Sequence, residues 1–519
     1  MHVSRRNVLI GTGAIGLVHS LPALARAGSS QRARLPIPAE LRADQQNRIA
    51  ITAQTGERSF LLGTRTPTMG FSAPYLGPAI RVRRGDSPTV ALTNNLNEAI
   101  TLHWHGLIIP GKVDGGPYQL IQPGMTSAVK LPIDQPAATL WFHPHVYPVT
   151  AELVVNGLAG LFIVDDEESG ALGLPSTWGV DDIPLVLQDR RFQSDGRFFH
   201  RFNAISVAMG YVGDTMLVNG AHDPVAVTAK GWLRFRLLNG SNARNYTLAV
   251  SDNRPMYIVA TDGGLLEAPV ERQTVSIAPG ERYEVLVDAR NGAPFELVSL
   301  PVERPAIMRL PPFDAPLRLL TVKPDGAEGS GTLPDALVSL PPLPAQRPAV
   351  SQKLVMQMYR DAEGQKMMME TGLMAMARSG VTDPAVVARV VELITTQPPL
   401  PLKTQLTTNG INGTSFSFIQ KGFHVPINTD VVWSISEESD RMLHPVHIHG
   451  CQFRIISLNG NAPPDQMKGW KDTVPIDNAG SAEILVRFPC EAPVEYPYMA
   501  HCHNLEHEDS GMMTEFSVS

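Results

Sequence analysis

The sequence predicts an all-β protein of about three domains, built as β-sandwiches or Greek-key barrels. Three observations carry this. Short alternating runs recur between turn residues, such as Ala79-Ile80-Arg81-Val82-Arg83, Leu233-Arg234-Phe235-Arg236-Leu237-Leu238 and Glu483-Ile484-Leu485-Val486-Arg487-Phe488. A period of two puts apolar side chains on one face of a half-buried strand. Turn formers are abundant, 43 Gly and 44 Pro, as many short strands require. The 519 residues match about three domains at roughly 150 residues each.

Composition narrows the class. Charged residues are 18% and hydrophobic residues 43% of the chain, which excludes a solvated disordered polymer. The net charge of −7 argues against a nucleic-acid partner, which calls for a basic patch. Three cysteines exclude a disulfide scaffold.

In chain order, residues 1–27 read as an export signal. Arg5-Arg6 form its charged start, Val8 to Leu24 is apolar and rich in Gly and Ala, and Ala25-Arg26-Ala27 fits a small-x-small cleavage site. The arginine pair points to the twin-arginine route and hence to the periplasm. The alternative is a membrane anchor, but the apolar run, about 17 residues, is marginal for spanning and is interrupted by His19 and Pro22. No later stretch reaches roughly 18 apolar residues, so the exported chain is expected to be free of the membrane.

Domain boundaries are expected at the charged loop Asp165 to Gly170 and at the Gly-, Pro- and Ser-rich stretch Asp325 to Pro348. This divides the chain into domains at 40–167, 175–324 and 350–519, with a linker at 325–349. One segment breaks the β pattern. Seven of the 19 methionines fall between Met356 and Met376, and Asp383-Pro384 then opens a run with apolar periodicity through Ile394. Asp at the N-cap and Pro at the first helical position mark a helix. Residues 354–400 therefore read as a Met-rich helical insertion on the third domain.

Ten of the fifteen histidines fall in four short clusters: His103-Trp104-His105, His143-Pro144-His145, His444 with His447 and His449, and His501-Cys502-His503 with His507. Each cluster contains an HxH pair. On a strand, residues i and i+2 share a face, so each pair can present two imidazoles in one direction. Eight such imidazoles in a core would need partners for both ring nitrogens, which makes a purely structural role costly. His200, His222 and His424 stand apart and read as ordinary residues.

Cys502, His507 and Met512 add a second signal. With one more histidine they supply the His₂Cys set and weak axial Met of a blue-copper site. Cys502 points to the opposite strand face from His501 and His503, so one strand can serve blue copper on one side and other copper ions on the other.

HWHG at 103–106, HPH at 143–145, HPVHIHG at 444–450 and HCHNLEHEDSGMM at 501–513 together resemble the four copper motifs of the multicopper oxidases. The likeness runs from about residue 40 to the C-terminus. Gly111 to Pro117, Asp252-Asn253-Arg254-Pro255 and Gly469 to Val474 look like the bacterial copper-efflux branch. The resemblance implies three cupredoxin domains, each a Greek-key β-sandwich, and four copper ions that carry four electrons to O₂. It implies type 1 copper on His444, Cys502, His507 and Met512, rather than the neighbouring Met513. It implies type 2 copper on His103 and His447. The type 3 pair would take His105, His143, His145, His449, His501 and His503. Electrons would enter at Cys502, and Asp114 and Glu508 match positions that relay protons; as ordinary residues they would be solvated acids.

The electron donor follows less directly. Thioethers are soft and select Cu(I), although Met also serves as core filler. Met358, Asp361 and Glu363 of the insertion, with Asp440 and Met442 just before His444, are the candidates for a further substrate copper. The Met run is short and no His lies between His222 and His424, a departure from the fuller branch pattern. Cu(I) is thus the expected substrate, with weak oxidation of phenols. The alternatives are a laccase-like phenol oxidase and a structural or copper-storage protein without turnover. The resemblance favours a monomer. Cys451 and Cys490 read as free, buried thiols, the alternative being a disulfide permitted by an oxidising compartment.

Overall fold

The computed structural model describes residues 32–301, 315–358, 362, 366, 408–419, 421–437 and 442–519. The export signal, Asp361, Glu363, Asp440, the methionines from 367 to 376 and the helix expected after Asp383 lie outside them.

The described strands form six sheets, which pair around three apolar cores. The first core gathers Ile49, Ile51, Val90 and Leu92 against Ile80, Leu140, Phe142 and Phe162. The second is built on Leu185, Phe235, Val285 and Leu320, and the third on Leu354, Trp433, Phe453 and Phe516. Alternation in the sequence explains the division. In Arg48–Arg58, for example, Ile49, Ile51 and Ala53 are buried while Arg48 and Ala50 face out.

The same pairing rule recurs in each sandwich. Arg48–Arg58 runs parallel to Thr89–Asn94, and Ala79–Arg83 parallel to Gly160–Asp165. In the second, Asp182–Arg190 lies parallel to Trp232–Asn239, and Val225–Lys230 parallel to Leu317–Glu328. In the third, Val350–Gln357 lies parallel to Val431–Glu437, and Phe423–Val425 parallel to Met513–Val518. Parallel partners cannot be joined by hairpins, so the chain crosses between the two sheets of each sandwich, as a Greek key does. The all-β expectation holds.

Two stretches read from composition as irregular are strands. Leu317–Glu328 runs into the predicted linker 325–349. Its pairing with Val225–Lys230 shifts register, Thr228 opposing Pro324 and Lys230 opposing Glu328, so Gly326 serves an irregularity in the ladder rather than ending the strand. Val350–Gln357 likewise runs through the first residues of the predicted insertion 354–400. Met356 is fully buried there in the third core, where it acts as filler.

Four strands and one short helix carry the histidine clusters. They are β1 (His103–His105), β2 (Ala138–His143), β3 (His444–Ile448), β4 (Tyr498–Cys502) and α1 (Leu505–Asp509). Strands β1 and β2 pair antiparallel with His103 opposite His143. Strands β3 and β4 pair antiparallel with His447 opposite His501 and Val446 opposite Cys502. Register therefore sorts the ligand types by face: His447 and His501 face one way, and His444 and Cys502 the other.

Candidate metal centre

The early and late clusters meet. His103 stacks on His449 with ring centroids 3.8 Å apart, and His105 stacks on His447 at 3.6 Å. His103 Nε2 lies 3.4 Å from His447 Nε2, and His449 Nε2 lies 3.3 Å from His501 Nε2. His145 packs edge-on to both His449 and His501, and His503 lies 5.3 Å from His143. All eight imidazoles are buried. His103, His447 and His449 bring one nitrogen each into a common cluster, as do His145, His449 and His501, and His103, His105 and His143.

A separate group forms inside the third sandwich. Cys502 Sγ lies 3.5 Å from His444 Nδ1 and 3.7 Å from His507 Nδ1. Met512 is fully buried and shares the apolar cluster of Cys502. Its backbone ties it to both neighbours: Met512 N–H donates to His507 O at 2.9 Å, and Cys502 N–H to Met512 O at 3.1 Å. Met513 packs elsewhere, against Tyr147, Phe416 and Met499, which separates the two adjacent methionines.

The donor set fits copper. Burial pushes His105, His143, His145, His449 and His503 well below the usual histidine range, and His447 down to about 4. Neutral imidazole is the form that ligates. Several rings have one nitrogen held by a hydrogen bond, which fixes the tautomer. His103 Nδ1 faces Asp114 O at 3.1 Å, His143 Nδ1 faces Pro144 O at 2.8 Å and His447 Nδ1 faces Asp472 O at 2.9 Å. His105 is held instead through Nε2, 3.0 Å from Asp472 Oδ1. The other nitrogen is then orphaned: among the described residues His105 Nδ1 and His143 Nε2 have no hydrogen-bond partner, nor does either nitrogen of His145 or His503. Buried unpaired nitrogens at this density are costly unless a cation takes them.

Three carboxylates each border a pair of these rings. Asp114 Oδ2 lies 2.8 Å from His449 Nδ1 and 3.4 Å from His103 Nδ1. Glu508 lies 3.1 Å from His501 Nδ1 and 3.4 Å from His145 Nδ1. Asp472 Oδ1 lies 3.0 Å from His105 Nε2 and 3.5 Å from His447 Nδ1. Asp472 was not among the site residues expected from sequence. Its place just before the strand Thr473–Ile476 was the available signal, but a single aspartate says nothing about what it faces.

The three acids differ in their surroundings. Burial works against charge on Asp472, yet Arg282 beside it holds its carboxyl well below the usual carboxylate range. Arg282 Nη1 donates to Asp472 Oδ1 at 2.7 Å, Nε to Thr139 O at 3.0 Å and Nη2 to Asp262 O at 3.0 Å. The second sandwich, which holds none of the twelve copper-ligand candidates, thus clamps the other two together. Gly106, next after His105, has φ +91°, and a Cβ there would sit 2.6 Å from Arg282 Nη2. This is why glycine closes the first motif. Asp114 Oδ1, by contrast, has no partner, and neither Glu508 oxygen makes a well-directed hydrogen bond.

Met358 packs at the edge of the third core, and Met442 is half-buried just before β3. All three cysteines are free thiols; Cys451 is buried, whereas Cys490 is half-buried rather than fully so as expected. His200 Nε2 lies 3.3 Å from Glu506 of α1, and His424 is exposed on an edge strand.

Family models described as multicopper oxidase match residues 52–169, 198–297 and 395–519. The chain is 33% identical to cell division protein FtsP of Xenorhabdus nematophila, over 100% of this chain and 99% of that protein. It is 33% identical to multicopper oxidase mco of Staphylococcus haemolyticus, over 90% of this chain and 88% of that one. Among solved structures, a laccase-like multicopper oxidase CueO from Ochrobactrum sp. superposes with a TM-score of 0.80 at 36% identity, covering 93% of this chain and all of that one. These matches span all three sandwiches and every histidine cluster, and the chain belongs to the multicopper oxidase family.

Proposed function

We propose that the protein is an exported cuprous oxidase of the copper-efflux branch, coupling one-electron oxidation of Cu(I), and weakly of phenols, to reduction of O₂ to water. In this reading His444, Cys502, His507 and Met512 hold type 1 copper. His103 and His447 hold type 2 copper, and His105, His143, His145, His449, His501 and His503 hold the type 3 pair. Copper bound there supplies one-electron chemistry, four ions matching the four electrons that O₂ takes up. The chain's own residues do the rest. Cys502 is covalently joined to His501 and His503, so one short strand segment links the two groups of ligands. The burial of all ten imidazoles keeps bulk water from the reacting oxygen. Asp114 and Glu508 hold carboxylate oxygens at His449 Nδ1 and His501 Nδ1 with no Lys or Arg paired to them among the described residues, which suits proton delivery. Asp472, locked as an anion by Arg282, positions His105 and His447.

The substrate rests on one observation. Gln357 pairs with Gly410 and Met356 with Ile411, so the Met-rich excursion leaves and returns at adjacent points. Its return point sits on the type 1 loop: Asn409 N–H donates to Ser510 O at 3.2 Å, Asn409 Nδ2 to Ser510 Oγ at 2.7 Å, and Phe416 N–H to Gly511 O at 3.0 Å. Ser510 and Gly511 directly precede Met512. The two ends of a segment carrying six methionines after Met356 thus lie near Met512, which supports a role for its soft thioethers in receiving Cu(I).

The test is O₂ uptake driven by Cu(I) or by a phenol, before and after replacing residues 359–407 with a short Gly-Ser linker. The adjacent ends make that replacement tolerable. Cu(I) oxidation should fall to background while phenol turnover is spared or raised. Loss of phenol turnover with Cu(I) oxidation retained favours the laccase reading, which the likeness to the Ochrobactrum protein supports. A purely structural role, suggested by the cell-division name of the Xenorhabdus relative, gives no reason for a full set of buried ligands. Export to the periplasm rests on the arginine pair at 5–6, and no helix among the described residues is long and apolar enough to cross a membrane.

A further inference from the structure

A cavity of about 730 Å³ opens where the three sandwiches and the 338–344 connector meet. That volume lies in the range of small-molecule sites, roughly 300–1,000 Å³. Its walls include Leu265, Val338, Pro341 and Trp470, and none of the ten clustered histidines lines it. It is therefore distinct from the metal centre.

Two buried polar side chains interrupt the apolar walls. Gln452 and Arg454 are 8% and 9% exposed. Gln452 Nε2 donates to Gly106 O and to Asp472 Oδ2, both at 2.9 Å. Those two acceptors fix the orientation of the amide, and Oε1 is left with no partner among the described residues. The Arg454 guanidinium lies over the Trp470 ring, with Cζ 5.7 Å from its centroid, and reaches Pro341 O only at 3.5 Å. Its Nε has no partner.

The other charged groups on the cavity wall are engaged or exposed. Asp430 is paired with Arg487 at 2.8 Å, Asp166 accepts from the N–H groups of Ala137 and Ser169, Arg84 faces Asp134 at 3.3 Å, and Glu168 lies on the exposed rim. No carboxylate among the described residues pairs with Arg454; Glu267 acts on it only at a distance. The cavity thus offers a guanidinium with no carboxylate partner and an amide oxygen with no hydrogen-bond partner among the described residues, set in apolar walls that include the Trp470 ring. Buried polar groups left in this state lose a substantial hydrogen-bond energy that a ligand of matching pattern recovers.

We propose that this cavity binds a planar hydroxylated aromatic carboxylate, with the carboxylate on Arg454 and the hydroxyl donating to Gln452 Oε1. Because Gln452 also bonds Asp472, which orients His105, the ligand sits one residue removed from the metal centre.

The probe is 4-hydroxybenzoate, titrated anaerobically into the copper-loaded protein by calorimetry. One equivalent should bind. The neutral 4-hydroxybenzamide and the Arg454→Met variant should each bind roughly tenfold more weakly or worse, as loss of a charged hydrogen bond requires. Val338→Trp, which fills the cavity, should abolish binding with O₂ uptake unchanged. Absence of heat with the unsubstituted protein overturns the proposal, as does binding that survives Val338→Trp, which would place the ligand elsewhere. Should Arg454→Met not fold, the benzamide and Val338→Trp decide the matter alone.

Discussion

His103 and His447 lie 344 residues apart in the chain, yet their Nε2 atoms approach to 3.4 Å. The first belongs to the first sandwich and the second to the third. Neither sandwich alone can build the site, so O₂ chemistry requires the whole assembly. Arg282, a buried arginine of the second sandwich, braces the seam through Thr139 O of the first and Asp472 of the third. Buried ion pairs of this kind contribute more to a specific arrangement than to net stability.

The first prediction concerns colour. Copper–thiolate bonding at Cys502 should make the copper-loaded protein intensely blue. Cys502→Ser should remove the band and the turnover together, read by visible absorbance and O₂ uptake. A band that persists in the variant refutes the type 1 assignment.

Proton delivery is the second. Glu508→Gln keeps the shape of the side chain and removes the acid beside His145 and His501. O₂ consumption should fall by roughly 10²- to 10⁴-fold, the usual contribution of a positioned acid. Anaerobic reduction of the blue band by Cu(I) should stay fast. Slowing of both steps alike would mean a structural role.

Much of this centre was legible in the sequence, because HxH on a strand forces two imidazoles to one face and four such motifs leave few other readings. Cys502 between His501 and His503 likewise announced two faces with different duties. What could not be read was pairing across the seam. Asp472 and Arg282 act through contacts between separate sandwiches, and no spacing in either segment encodes them. The edges of the Met-rich insertion were misread for a related reason: Met356 is soft and apolar, so composition does not distinguish core filler from metal ligand. Pairing with Ile411 decides it.

Asp472 provides the third prediction. Its carboxylate orients His105 without belonging to either group of ligands. Asp472→Asn should weaken copper binding at the cluster by roughly 10- to 100-fold, as loss of an orienting partner does, while the blue band is kept. Copper competition against a chelator measures this. Unchanged affinity would remove Asp472 from the site.

Acid stability of the copper-free protein is the fourth. Burial lowers six imidazoles, His447 from 6.5 to about 4 and His105, His143, His145, His449 and His503 further still. Below pH 6.5 the unfolded chain takes up protons that the folded chain refuses, so stability rises with pH in this window and is lost as pH falls from about 6.5 toward 4. Burial raises the carboxyls of Asp509 and Glu281, which act in the opposite sense, but they are two against six. The thermal midpoint of the copper-free protein should drop across this window, and copper should flatten the drop. A flat profile without copper would mean the rings are solvated.

The most direct test of the account is copper per chain, measured together with blue absorbance, in the unsubstituted protein and in His103→Ala. Four copper ions per chain are expected, and in His103→Ala a loss confined to the cluster, with the blue band intact and O₂ reduction gone. A single copper per chain in the unsubstituted protein, or full copper and full turnover in His103→Ala, would contradict it.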